Sequence, residues 1–159
     1  KRMKWNVRIL VWNAVIAAVY AVLTISLEPI SYGAVQFRLS EVMTLLAFAN
    51  PMFVPGLVLG CVIANLFSPL GAIDVFVGSF ATFLAIYPMR YCKNVYWASL
   101  LPTIANGIII GIELTVLYQI PIYMSIASVA AGEFVVVSVI GTQLYRIFVQ
   151  RKLAQSHAS

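Results

Sequence analysis

An all-α, multi-pass membrane protein is the fold class this sequence predicts, and three observations predict it. Only fifteen of the 159 residues are charged, ten basic and five acidic. Apolar residues make up 62% of the chain, and its mean hydropathy is +0.97. Those apolar residues gather into six runs separated by short polar or proline-containing breaks. A soluble domain is about 25% charged, so a free globular enzyme is a poor fit. Disorder needs low hydrophobicity and high charge, the opposite of this composition. Six spans of about twenty residues would use about 120 residues. No separate soluble domain fits, and residues 1–159 read as a single integral membrane domain.

The elements follow in order. Lys1, Arg2, Lys4 and Arg8 precede a first helix at residues 9–27, which is longer than the apolar core of a leader peptide and so is expected to be retained. It ends at Glu28-Pro29, and a polar connector at residues 30–39 carries Ser31, Gly33, Gln36 and Arg38. A second helix is predicted at residues 40–49, with Ser40 as N-cap and Glu41 in the first turn. At 1.5 Å per residue it is short for a bilayer. Asn50-Pro51 interrupts it, and a third helix at 52–67 closes on Ser68-Pro69-Leu70-Gly71. The remaining helices are predicted at 72–88, 96–118 and 122–149.

Charge placement predicts the topology. Nine of the ten bases fall in three clusters: the N-terminal four, Arg90 with Lys93, and Arg146 with Arg151 and Lys152. Basic clusters beside spans mark cytoplasmic ends, so both termini are expected in the cytoplasm and the number of crossings is even. Five segments read as long enough to cross unaided, so the short one counts as the sixth. The Arg90–Lys93 loop then falls on the cytoplasmic side, as the rule requires. The same clustering argues against nucleic acid, which needs a contiguous basic face. Cys61 and Cys92 lie at different depths and read as two reduced thiols. His157 sits in the polar tail, and no metal-ligand cluster, phosphate loop or nucleophile elbow occurs. No enzyme activity, metal or cofactor is expected of this chain.

The acids sort by depth. Glu28, Glu41 and Asp74 lie at or near outer helix ends, Glu113 about one and a half turns below Tyr118, and Glu133 about three turns into the sixth helix. A carboxylate in hydrocarbon is costly, so it faces a bundle interior or wet cavity and marks a substrate path. A structural hydrogen bond between helices is the alternative, and Glu28 and Glu41 also suit solvated helix ends. No Lys or Arg is expected at the depth of Glu133. Gln36, Phe37, Asn65, Asn106, Tyr118 and Tyr123 share the outer half, and Asn65 and Asp74 flank the Ser68–Gly71 turn as if across a hairpin. The aromatics equally fit an interfacial belt. Small residues recur four apart at Ala14 and Ala18, Ala17 and Ala21, Gly56, Gly60 and Ala64, and Gly107 and Gly111. Such spacing permits close helix contact. The glycine pairs are expected to pack within the chain, and the alanines suit either that or a partner helix.

The string Gln36-Phe37-Arg38-Leu39-Ser40-Glu41, then Asn50-Pro51, Val54-Pro55-Gly56 and the run from Gly60 to Asp74, resembles the QueT family. Its members are substrate-binding S-components of energy-coupling factor (ECF) transporters that take up queuosine precursors. The match is dense from Gln36 to Ala85. The resemblance implies a six-helix S-component of the bacterial plasma membrane. Its partners would be a transmembrane coupling subunit and two ATPase subunits, which would bind the ATP. It also implies docking on the coupling subunit through Ala14, Ala17, Ala18 and Ala21, and a deazaguanine-type cargo. A guanine-like edge presents adjacent N–H donors that a carboxylate accepts in pairs, and an aminomethyl arm would add a cation for a second carboxylate. Glu133 or Glu113 is expected to read that edge, Asn65 and Asn106 to add polar contacts, and Asp74 to contribute from the hairpin. Gln36, Arg38 and Glu41 are expected to shape the mouth, with Arg38 alternatively paired to Glu41. Two rival readings are an S-component for another vitamin or base, and a small membrane scaffold with structural acids.

Overall fold

The structure, a computed structural model, describes residues 4–27 and 38–157. Every regular element among these residues is helical. Helix α1 spans Val7–Ser26 and opens on Asn6, whose side chain accepts from the Ile9 N–H. A 3₁₀ segment at Leu39–Thr44 leads into the five-residue α2 (Leu45–Ala49). Asn50 then accepts from the Met52 N–H to start a 3₁₀ turn at Pro51–Phe53, and α3 follows at Val54–Asn65. Helix α4 (Ala72–Ile86) runs on through a 3₁₀ turn at Tyr87–Tyr91, and Asn94 caps α5 (Val95–Tyr118). The last rod is continuous: α6 (Ile122–Glu133), a π-helical stretch (Phe134–Gly141) and α7 (Thr142–His157).

Side-chain contacts give the direction of each rod. Along α1, Thr24 meets Ser40, Tyr20 meets Glu41, and Asn13 meets Met52 and Gly56. The 40–50 segment therefore runs back alongside α1 from the level of Thr24 to that of Asn13. From there α3 climbs again, with Gly60 against Ala17 and Tyr20. Helices α3 and α4 are antiparallel, with Asn65 on Asp74 and Cys61 on Thr82. So are α5 and the last rod, with Gly111 against Ile126, Gly107 against Ala130, and Ser138 bonded to the Ser99 carbonyl. Among the described residues six helical stretches thus alternate in direction. Asn13 ties two of them together, donating to the Ile9 and Met52 carbonyls and accepting from the Gly56 N–H at 2.7 Å.

The alternation gives the bundle two unlike ends. Arg8, Arg90, Lys93, Arg146, Arg151 and Lys152 belong to the end where the helix pairs meet at residues 50–53 and 87–95. There Arg146 donates to the Tyr96 hydroxyl and Arg90 lies over the Tyr87 ring. Glu41, Asp74 and Glu113 belong to the opposite end. Outward faces are apolar, as with Val7, Val11, Phe76, Val116 and Phe148, all more than half exposed. That is the exterior of a protein whose solvent is lipid.

Several sequence expectations need correction. Four rods, Val7–Ser26, Ala72–Tyr91, Val95–Tyr118 and Ile122–Val149, are long and apolar enough to span by themselves. The third predicted helix, 52–67, is not a fifth such rod: Asn50 and Pro51 reset the backbone, leaving a 12-residue α-helix about 18 Å long. The second is 3₁₀ over its first half and α-helical only from Leu45 to Ala49, and Ser40 does not cap it, because its hydroxyl is engaged with Thr24 at 2.5 Å. The last helix continues past residue 149 to His157.

The glycine pairs pack inside the chain, as their spacing predicted. A Cβ on Gly111 would lie 2.7 Å from Ile126 Cγ1 and 2.8 Å from its Cα. Backbone sits too close there for any side chain to be absorbed. Gly111→Leu is therefore expected to destabilise the protein by about 1–3 kcal/mol or more, read as a lower unfolding midpoint in detergent. Ile112→Leu, at a lipid-facing neighbour, is expected to leave the midpoint unchanged.

Candidate binding site

Packing brings four of the five carboxylates into one buried cluster with Arg38, Asn65 and Asn106. Arg38, Glu41, Asn65, Asp74, Asn106, Glu113 and Glu133 are each no more than 9% exposed. The inner face of α1 supports one wall. The Tyr20 hydroxyl donates to Glu41 Oε1 at 2.5 Å, and Thr44 donates to the Glu41 carbonyl at 2.6 Å, closing the 3₁₀ turn. Glu41 is thus not a solvated helix end. Its carboxylate is clamped against α1 because the 3₁₀ segment is laid along that helix.

The hairpin forms a second wall. Asn65 Nδ2 donates to the Asp74 carbonyl at 3.0 Å and lies 3.4 Å from Cys61 Sγ, which in turn is 3.3 Å from Thr82 Oγ1. Gly78 makes this possible, since a Cβ there would fall 2.5 Å from Asn65 Nδ2 and 3.2 Å from Asp74 Oδ1. Arg38 enters from the short segment and pairs with Asp74, Nη2 to Oδ2 at 3.4 Å. It also lies within the electrostatic reach of Glu41, Glu113 and Glu133. A base is therefore present beside Glu133, contrary to the depth reasoning, because the end of the connector tucks into the bundle rather than staying at its rim.

Arg38, Glu41, Gly78, Thr82, Asn106, Ile110, Val129 and Glu133 line a small cavity. Its open centre is about 10 Å³, close to the room one water needs. Asn106 faces Glu133 within hydrogen-bonding range. One turn beyond this chamber, Glu113 stands three residues past Ile110 and beside Asp74. The site is thus in two parts: a chamber at Asn106 and Glu133, and an acidic pair, Asp74 and Glu113, toward the acid-bearing end. Four carboxylates share one arginine among the described residues. Glu41 Oε2, Asp74 Oδ1, Glu133 Oε2, Asn65 Oδ1 and both Glu113 oxygens are buried there without a hydrogen-bond donor. Such atoms are expensive inside a protein, and their concentration in one place marks a site built for something polar.

A larger hollow of about 340 Å³ lies at the basic end, between the second segment and α7. Its walls are Val42, Leu45, Leu46, Phe53, Leu144 and similar side chains, with Lys152 at its edge. Apart from Tyr145 and Lys152 its lining side chains are apolar and none is a carboxylate or amide, so size alone does not make it the candidate.

Gln36, Phe37 and Glu28 lie outside the described residues. Tyr118 and Tyr123 are exposed at the bundle surface, where an interfacial belt would place them. The four alanines divide. Ala17 and Ala21 are buried, Ala17 against Gly60, whereas Ala14 and Ala18 face outward between Val11, Val15 and Val22. Both cysteines are free thiols, Cys61 buried and Cys92 half-buried. Sequence reasoning missed Tyr20, Thr24, Gly78 and Thr82. Their signal was spacing: Tyr20 and Thr24 continue the inner face of Asn13, and Gly78 and Thr82 stand four and eight residues past Asp74.

An apolar helical exterior around a buried carboxylate-rich pocket defines a multi-pass membrane protein with an internal polar cavity. The sequence model described as QueT transporter matches residues 10–150, and the chain belongs to that family. It is 31% identical over 137 residues to the queuosine precursor transporter QueT of Lactococcus lactis subsp. cremoris (strain MG1363). That alignment covers 76% of this chain and 80% of the relative. No solved structure matches.

Proposed function

We propose that this chain is the substrate-capturing S-component of an ECF importer for a deazaguanine-type queuosine precursor. One observation carries the reading: Glu41 and Glu133, each with a buried carboxylate oxygen that has no donor, line one small chamber, and Asn65, Asp74 and Glu113 hold further such oxygens in the same cluster. Acceptor-rich walls complement the adjacent N–H donors of a guanine-like edge. The family membership and the name of the relative direct that chemistry to queuosine precursors. Glu133 and Asn106 take the hydrogen-bonding edge, and Glu41 and Arg38 close the chamber from the short segment. Ligand binding widens a chamber now scarcely larger than a water.

Six crossings with both termini in the cytoplasm agree with the alternating rods and with the gathering of the basic clusters at one end. In that orientation the acidic pair faces outside and receives the cargo. Release inward then depends on a coupling subunit and two ATPases, which bind and hydrolyse the ATP. Docking on the coupling subunit falls to the outward strip of α1, centred on Ala14 and Ala18, where small side chains leave room for a second helix. Ala18→Trp is expected to abolish co-purification with the coupling subunit while the isolated chain still binds ligand.

The test of the cargo is a thermal-shift panel of deazaguanines, purines and vitamins on the purified chain. Stabilisation by deazaguanines supports the reading. Stabilisation by a vitamin alone overturns it.

A further inference from the structure

We propose that the apolar hollow at the basic end is a lipid site: it takes an acyl chain of an anionic phospholipid whose phosphate lies at Lys152. The proposal goes beyond the cargo reading and uses one part of it, the placing of the basic end at the cytoplasmic membrane surface.

Geometry sets the shape of the occupant. Gly141, Leu144, Phe148 and Lys152 fall on one face of the last rod and line the hollow, with Leu46 and Phe53 in the facing wall. From Gly141 to Lys152 is about 16 Å along the axis, the depth of one leaflet of a hydrocarbon core about 30 Å thick. The walls close at Gly141, where a Cβ would come 3.1 Å from Leu45 Cδ1. Phe48 and Tyr145 brace them, with ring centroids 5.7 Å apart. Leu144 and Phe148 are exposed, so the slot opens outward to lipid rather than into the bundle. Spread along that length, a volume of about 340 Å³ leaves a section of about 20 Å². A hydrocarbon chain fits that section. An α-helix, about 10–12 Å across with its side chains, needs at least four times as much. Left empty, the hollow forfeits dispersion contacts on both walls, and in a bilayer the filler at hand is a chain.

Charge selects the headgroup. Lys152 stands at the edge of the slot, with Arg151 next to it in the chain. Every acid among the described residues, Glu41, Asp74, Glu113 and Glu133, belongs to the buried cluster, so none of these carboxylates competes for Lys152. Lysines near helix ends extend their charge to the headgroups, and basic pockets between helices recruit anionic ones. A zwitterionic lipid brings its own cation to the same place and gains less.

The experiment is native mass spectrometry of the purified chain in mixed micelles, titrated with phosphatidylglycerol or phosphatidylcholine of identical acyl chains. The first lipid retained is expected to favour phosphatidylglycerol about fivefold, the effect of one base near a membrane surface. Lys152→Gln, an exposed substitution that leaves folding intact, is expected to cut that preference below about twofold. Leu144→Trp, which fills the slot, is expected to weaken retention of both lipids about tenfold, the loss of about two buried methylenes. Val116→Trp, on the lipid-facing surface at the acid-bearing end, is expected to change neither. Equal retention of the two lipids by the unaltered chain, or a preference that survives Lys152→Gln, overturns the proposal, and this arm decides alone if Leu144→Trp fails to fold. Unchanged lipid retention in folded Leu144→Trp also overturns it, and loss of the proposed coupling subunit by that variant would then assign the hollow to the subunit.

Discussion

Arg38→Met is expected to lower stability by about 3–5 kcal/mol, the cost of removing one partner from a buried ion pair. Arg38 and Asp74 are 7% and 1% exposed, so neither charge has water to fall back on. Without the guanidinium, Asp74 faces Glu113 with no compensating cation, and Glu41 and Glu133 lose the same neighbour. The penalty therefore belongs to a whole cluster rather than to one bond. A second substitution separates charge from packing: Asp74→Asn on the Arg38→Met background removes the stranded carboxylate and is expected to restore part of the loss. Denaturant unfolding in mixed micelles, run as a double-mutant cycle, measures the coupling. A cost below about 1 kcal/mol for Arg38→Met would mean that Arg38 does not hold the acids together.

Glu133→Gln is expected to weaken binding of a deazaguanine by about tenfold to a hundredfold, with little effect on folding. Glutamine keeps the shape of the side chain but replaces one acceptor oxygen with an N–H₂ donor. Against a guanine-like edge that donor meets another donor, so one charged hydrogen bond, about 1.5–3 kcal/mol, is lost. Stability is largely spared because the glutamine carbonyl still accepts from Asn106, and the second oxygen, Oε2, has no donor in the protein to lose. Equilibrium binding of the variant and the unaltered chain to the same ligand decides it. Unchanged affinity in both Glu133→Gln and Glu113→Gln would remove the carboxylates from recognition.

Much of this was legible in the sequence because lipid imposes strict rules. A deficit of charge and span-length apolar runs predict helices, since a bilayer leaves backbone groups no other partner. The basic clusters predict which ends gather, and residues 8, 90, 93, 146, 151 and 152 do share one end of the bundle. Asn65 and Asp74 are readable as neighbours because only six residues, 66–71, separate the helix ends that carry them. Depth is the coordinate that sequence reports well. Direction around a helix axis is reported less well where every face is apolar, which is why the convergence of Glu113 and Asp74 took the folded packing to see.

Arg38 shows the limit most clearly. Hydropathy assigns it to a polar connector, yet it is drawn inward by four carboxylates that lie far apart in sequence. The short second segment fails for a different reason. Its backbone is 3₁₀ from Leu39 to Thr44 because Glu41, Ser40 and Thr44 are tied by side-chain hydrogen bonds that a regular α-helical pattern does not anticipate. The alanines of α1 show that a four-residue repeat locates a stripe of small residues without saying which side of the helix another helix will occupy. Gly56 and Gly60 decide that here, by admitting α3 against Asn13, Ala17 and Tyr20.

The central claim is that the carboxylate chamber, and not the larger apolar hollow, holds the cargo. A deazaguanine bearing a short photoreactive group, crosslinked to the chain in nanodiscs and mapped by peptide mass spectrometry, tests this directly. The predicted label falls on peptides of α4 around Gly78 and Thr82 and of α5 between Asn106 and Glu113, and excess unlabelled ligand removes it. Label confined to Leu45–Phe53 or to Gly141–Lys152, which line the hollow at the basic end, would contradict it.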